Sequence, residues 1–593
     1  MRFVVFLLLA VFSSACYAQS EALAKNYFEQ GAFDKAMPLY KELYEKTPHR
    51  NDYFVFYVNS LQQLEQLEQA EKLLLDRVSK THFQKTLFIE LGRNYLLQKN
   101  QSKADEYFQK AIATIDESPR TAYTIGNYFE KFSLLAWSII AYEKGMSLDA
   151  SLDYNSNLAR IYGEQGQLDK MFNAYLDLVE RNQNFLLTAQ RNFSRYITDN
   201  PQNEANEVLR KALLLRTQNN PQLYYNHLLS WLFVQQKQYG RAFVQEKAIY
   251  HLTGEGIDQI IDISIMAANN EDYDTAKEML NFIAENTSSE PVKLKANQYL
   301  LGIETETAET KNYPAIEKKY ESLIASYEKD IETFDVQIDY CRFLAFNSNK
   351  KELAIEKLRT LNKKRLSRYQ EAKVLMELAD ILVFDEKFNE ALIYYSQIQN
   401  KVKNDPLAQE ARYKVARTSF FKGDFAWAKT QLDVLKKSTS QLIANDALEM
   451  SLLISDNSYG DSTQTALKKY AKADLLKLQN KHREAITVLD EILQTHKGEA
   501  IEDEALLLQA KLYEETKQDE KAIANYLQII EFHNDDILAD NAYFYLAELY
   551  NKTLQQPEKA REFYEMIIFN HQDSIYFVEA RKQYRSIRGD IVN

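Results

Sequence analysis

The sequence predicts an all-α protein, an α-α superhelix built from stacked helical hairpins, and three observations carry that prediction. The 593 residues include only 14 Gly and 9 Pro, too few for the turns of a large β protein. Small residues recur at a fixed interval: Ala36, Ala70, Ala104 and Ser138 stand 34 residues apart, the mark of one supersecondary unit being stacked. Each mark sits in a pair of short amphipathic segments. The clearest is Glu21 to Pro48, where Ala24 and Tyr27 lie on one segment, Ala36 and Tyr40 on the next, Gly31 joins them and Pro48 closes the unit. A chain of this length must either divide into domains or grow by repetition, and the period decides for repetition.

Each element follows from the same packing rule. Two helices approach to about 8–10 Å only where side chains are small, and a bulky side chain from the partner helix fills the space beside them. Ala24, Gly92, Gly126 and Ala159 hold that place in the first helix of their hairpins. Tyr27, Tyr95, Phe129 and Tyr162 follow one turn later on the same face, as helical periodicity requires. The register continues at Met171 and Ala205, with a degenerate first helix expected from Phe185 to Ile197 that lacks its small residue, and then at Ala242 and Ala276. Gly254 and Gly256 between them read as a turn. Past Ala276 the marks are Ile316, Ala354, Ala391, Ala428, Ala485, Ala522 and Ala560; apart from the 57 residues between Ala428 and Ala485, their spacing near 37 residues implies longer links between hairpins. The expected organisation is residues 19–300 as one array and 301–572 as a second, with an inserted helix near 441–455 and a capping helix and tail over 573–593.

Residues 1–18 read as a secretory signal peptide: Arg2, an apolar run from Phe3 to Phe12, and small residues before a cut between Ala18 and Gln19. The run is too short to cross a bilayer. A rival reading makes Cys16 the lipid-bearing residue of an outer-membrane lipoprotein, because Ser13, Ser14 and Ala15 precede it, although Leu is missing three positions before the Cys. Cys341 is the other of the two cysteines. It is expected at a helix interface as a small apolar residue, with no disulfide framework in the exported chain.

The charge of −13 disfavours nucleic acid, whose binding needs clustered Lys and Arg. The 39 Tyr suit rings buried between helices with hydroxyls at the wet edge. The eight His are scattered without metal-ligand spacing, and no nucleophile elbow, phosphate loop or dinucleotide fingerprint is present. No catalytic residue, cofactor or metal is expected, and the chain is read as a non-enzyme.

The order of small, aromatic, Gly, small, aromatic and Pro resembles the tetratricopeptide repeat. The resemblance implies a scaffold that binds an extended peptide or a folded domain in a groove lined by the first helices. It carries Asn59, Gln62, Arg93 and Asn127 to groove positions. The carboxylate clamp of the chaperone-tail receptors is rejected, because Val55 and Glu90 stand where that subgroup has Lys and Asn. The longer repeats look like those of Gram-negative envelope proteins. The resulting expectation is a periplasmic scaffold for protein partners of the envelope. The alternatives are a lipid-anchored form and a module that binds glycan or peptidoglycan.

Overall fold

The computed structural model describes residues 20–80, 85–327, 331–437, 441–458, 463–534 and 536–589. Ala18, Gln19 and Cys16 lie outside the described residues, so the expected signal peptide and its cut are not part of the fold described. Among the described residues every regular element is helical and no strand occurs. No helix there is long and apolar enough to cross a membrane. The chain forms two compact units that part between His251 and Leu252, each a stack of antiparallel helical hairpins.

In the N-terminal unit the hairpins pair residues 20–29 with Phe33–Lys46, Asn51–Gln63 with Leu67–Lys80, Lys85–Leu97 with Gln101–Ala113, Thr121–Lys131 with Leu135–Leu148 and Asn155–Glu164 with Leu168–Arg181. The turn inside each hairpin repeats one device, a single residue in the left-handed region: Gly31, Glu65, Lys99, Ser133 and Gly166. Glycine takes that conformation freely and other residues pay about 1 kcal/mol. The turn therefore survives at positions where the sequence shows no Gly.

The seam between helices is built as the spacing predicts. Ala24, Ala36, Ala70 and Ala104 are fully buried, and so is Ser138. A Cβ on Gly92 would come within 2.3 Å of the Phe108 ring, and one on Gly126 within 2.5 Å of Tyr142. At both places the facing ring occupies the volume of a methyl group. The expectation for the degenerate repeat needs correction, because Leu186–Phe193 does carry a small residue, the fully buried Ala189. The helix is only eight residues long, and its shortness hid the pattern.

In the C-terminal unit Phe334–Phe346 pairs with Lys351–Asn362, Arg368–Phe384 with Phe388–Lys401, Pro406–Lys422 with Phe425–Leu435, Thr465–Leu478 with His482–Thr495, Ile501–Glu515 with Asp519–Phe532, and Ala539–Glu548 with Pro557–Asn570. The longer period comes from longer first helices: Arg368–Phe384 and Pro406–Lys422 have 17 residues each, against 13 in Asn51–Gln63 and Lys85–Leu97. A longer link contributes where the first helix stays short, as between Tyr313–Ala325 and the 13-residue Phe334–Phe346. Cys341 is buried at the small-residue position of its hairpin, and burial pushes its thiol up to about 12. An unreactive packing residue is the result. The helix Gln441–Asp456 packs on Pro406–Lys422 and Phe425–Leu435, and Phe577–Arg588 packs on Pro557–Asn570.

The abundance of Tyr has a structural cause that recurs. Four residues after the small mark, the second helix buries a ring, and its hydroxyl donates to a carboxylate on the first helix: Tyr142 to Glu130, Tyr395 to Asp380, Tyr526 to Glu514 and Tyr564 to Glu548. Burial and the facing carboxylate raise each of these phenols. They remain neutral donors.

Candidate functional site

The first helices of successive hairpins lie side by side, so their free faces form a continuous wall in each unit. In the N-terminal unit that wall carries three of the four residues placed there by sequence, and they bond to one another. Arg93 Nη1 donates to Asn59 Oδ1 and to Gln62 Oε1, both at 2.6 Å. Gln62 Nε2 passes a bond to Asn94, whose side chain donates to the Leu67 carbonyl. The Arg93 guanidinium also lies 4.3 Å from the centre of the Phe132 ring. Asn59 and Gln62 are consequently buried. Asn127 is exposed and outside this ladder.

The ladder is closed by a group that sequence reasoning used only to reject the clamp. Glu90 is 1% exposed; one oxygen accepts from Tyr128 at 2.6 Å, and the other lies 3.6 Å from Arg93 Nη1. Burial pushes its carboxyl up, opposed by Tyr128 and Arg93.

The C-terminal unit is different. Between the first helices Glu290–Thr307, Phe334–Phe346, Arg368–Phe384 and Pro406–Lys422 lies an open cleft of about 1190 Å³. Leu294, Val336, Met376 and Leu407 contribute its apolar surface. Its centre is Arg342, whose Nε donates to Glu377 Oε1 at 3.1 Å while Nη2 donates to the other oxygen, a fork on a carboxylate that is only 3% exposed. Lys414 Nζ donates to Asp380 at 2.6 Å, and Gln298 Nε2 to Asp339 at 2.6 Å. Burial raises Glu377 and Asp339, against the pull of Arg342 on the first and Gln298 on the second. For Lys414 burial acts downward, and Asp380 and Glu410 outweigh it, so its pKa is raised and it stays charged. This geometry can hold a charged, partly apolar segment.

None of the cleft residues was singled out from sequence. A signal does exist there: charged residues recur at helical spacing on first helices, as in Asp335, Asp339 and Arg342, then Lys373, Glu377 and Asp380, then Glu410 and Lys414. Three histidines also have a common place that sequence inspection missed. His496, His533 and His571 each follow the last residue of a second helix and donate their backbone N–H to its final turn. Among the described residues no group of three or more His, Cys, Asp or Glu side chains is placed to hold a metal.

Residues 504–533 and 541–574 match the family model described as tetratricopeptide repeat. No curated protein matches the chain. Among solved structures, a complex of Naa15 and Naa10 bound to HypK-THB is 13% identical and covers 97% of this chain and 94% of that one, with a TM-score of 0.26. A tetratricopeptide repeat protein from Parabacteroides merdae is 12% identical and covers 46% of this chain and 91% of that one, with a TM-score of 0.25.

Proposed function

We propose that this chain is an exported, non-enzymatic scaffold that docks protein partners of the cell envelope against the first helices of its C-terminal unit. The observation that carries the reading is the cleft around Arg342. Four successive first helices wall it, it offers apolar and charged surface together, and it lies on the face that tetratricopeptide repeats use to hold other proteins. A scaffold needs many modest contacts along one wall, with a few Arg or aromatic anchors supplying most of the affinity. Arg342, forked on Glu377 yet 57% exposed, is such an anchor. The sequence of residues 1–18 supports export, with the mature chain starting at Gln19.

A photo-reactive amino acid placed at Lys373, on the cleft, and in a second protein at Glu558, outside it, tests the docking face in cells. The reading expects reproducible adducts with envelope proteins from the Lys373 site alone. Equal adducts from both sites, or none from Lys373, would overturn it. Radiolabelled palmitate reads the anchoring question separately. No incorporation is expected, and incorporation abolished by Cys16→Ala would replace the free form with the lipid-anchored one.

A further inference from the structure

We propose that the cleft between Glu290 and Lys414 seats one amphipathic helix of a partner protein, with an apolar stripe against its floor and Lys or Arg side chains against its rim. This rests on the scaffold reading above and adds the conformation and charge of the docked segment.

The charge follows from what the cleft already satisfies internally. Seven carboxylates and four cations line it. Arg342 is forked on Glu377, Lys414 lies 2.6 Å from Asp380 and 3.2 Å from Glu410, and Lys373 reaches Asp335 at 3.1 Å. Carboxylates remain in excess, among them the largely buried Asp339, whose charged form burial disfavours. A cation brought into the cleft would relieve that cost, whereas an incoming anion would add to it.

The conformation follows from the wall and from its neighbour. A face made of helices presents side chains and no free strand edge, so an extended segment would find no backbone ladder, while a helix satisfies its own backbone. The next first helix of this wall packs on the last one that lines the cleft. Thr465–Leu478 packs on Pro406–Lys422, the helix that gives Glu410 and Lys414 to the cleft. Asp474 lies 3.7 Å from Arg417, one turn beyond Lys414, and Gln479 Nε2 donates to the Phe384 carbonyl at 3.0 Å and to Glu386 at 3.1 Å. The cleft lies upstream on the same wall, between its first helices.

The test uses the full chain and a synthetic peptide of roughly 16 residues, about four helical turns, with Leu at helical spacing and Lys elsewhere. Its counterparts carry Glu for Lys, or a central Pro that breaks the helix. Fluorescence anisotropy at about 0.15 M ionic strength, where distant charges are screened, should show the Lys peptide binding at least about tenfold more tightly than either counterpart. Glu332→Lys with Asp335→Lys, both exposed on the rim, should weaken it about tenfold. Glu520→Lys with Glu558→Lys, exposed outside the cleft, should leave it unchanged. Far-UV circular dichroism checks folding, and Glu332→Lys alone serves if the pair misfolds. Equal loss from both reversals, or undiminished binding by the Pro peptide, overturns the proposal. Preferred binding of the Glu peptide, or no peptide binding while crosslinks from Lys373 persist, overturns it and leaves the scaffold reading standing. Absence of crosslinks as well removes both.

Discussion

Arg93 and Arg342 are built from the same parts and end in different states. Each stands on the first helix of a hairpin beside a buried glutamate, Glu90 at 1% exposed and Glu377 at 3%. Arg93 is 17% exposed, bonded to Asn59 and Gln62 and covered by Phe132. Arg342 is 57% exposed and faces a cleft. In one unit the polar groups of the wall bond mainly to one another, with Glu90 Oε2 left without a hydrogen bond, and in the other the arginine stays open to the cleft. A buried polar network fixes the fold to the extent that its members satisfy one another, whereas a binding wall keeps polar groups accessible.

The comparison can be broken most forcefully at Arg93. Arg93→Ala leaves Glu90 buried without its cation and two amide oxygens without their donor, and should cost about 3–5 kcal/mol, read by hydrogen exchange over Lys85–Leu97 and by thermal unfolding. The seam supporting that ladder is nearly as sensitive. Gly126→Ala pushes a Cβ to 2.5 Å from Tyr142 and should cost about 1–3 kcal/mol, measured by denaturant unfolding.

Arg342→Ala should cost less, about 1–2 kcal/mol at neutral pH, because Arg342 is largely solvated and Glu377 can take up a proton. The sign follows from linkage. Burial already raises Glu377, so its favourable neutral form is fully present below the ordinary carboxylate range and is lost as pH rises through the folded value. Removing Arg342 raises that value further. The melting temperatures of wild type and variant should therefore converge in acid and separate toward neutral pH.

Glu504 sharpens the comparison as a carboxyl with no cation among its causes. Burial and Asp503 push it up to about 9, and Asn457 donates to it at 3.0 Å. Stability is lost between the unfolded value of 4.5 and about 9. Glu504→Gln keeps an acceptor for Asn457 and carries no proton, so it should raise the melting temperature increasingly across that window. The smallest effect is expected at Gly302, inside a helix with open space around its Cα. Gly302→Ala should stabilise by about 0.5–1 kcal/mol.

The seam was legible in the sequence because close approach of helices admits few side chains, so Ala36, Ala70 and Ala104 repeat visibly. The longer C-terminal period was legible as a number, but its cause was not, since a longer helix and a longer link shift Ala391 and Ala428 alike. Groove positions could be carried to Asn59, Gln62 and Arg93 through the resemblance. That these three would bond to one another depends on side-chain reach between hairpins 31 to 34 residues apart, which local pattern does not encode. The cleft escaped for the same reason: its charges look like solvated helix faces until four helices bring them together.

The contrast between a spent wall and an available one is tested most directly by arginine-selective labelling of the folded chain with phenylglyoxal, read by peptide mass spectrometry. The account predicts that Arg342 is modified quickly while Arg93 stays protected until the N-terminal unit unfolds. Equal rates at the two arginines, or faster modification of Arg93, would contradict it.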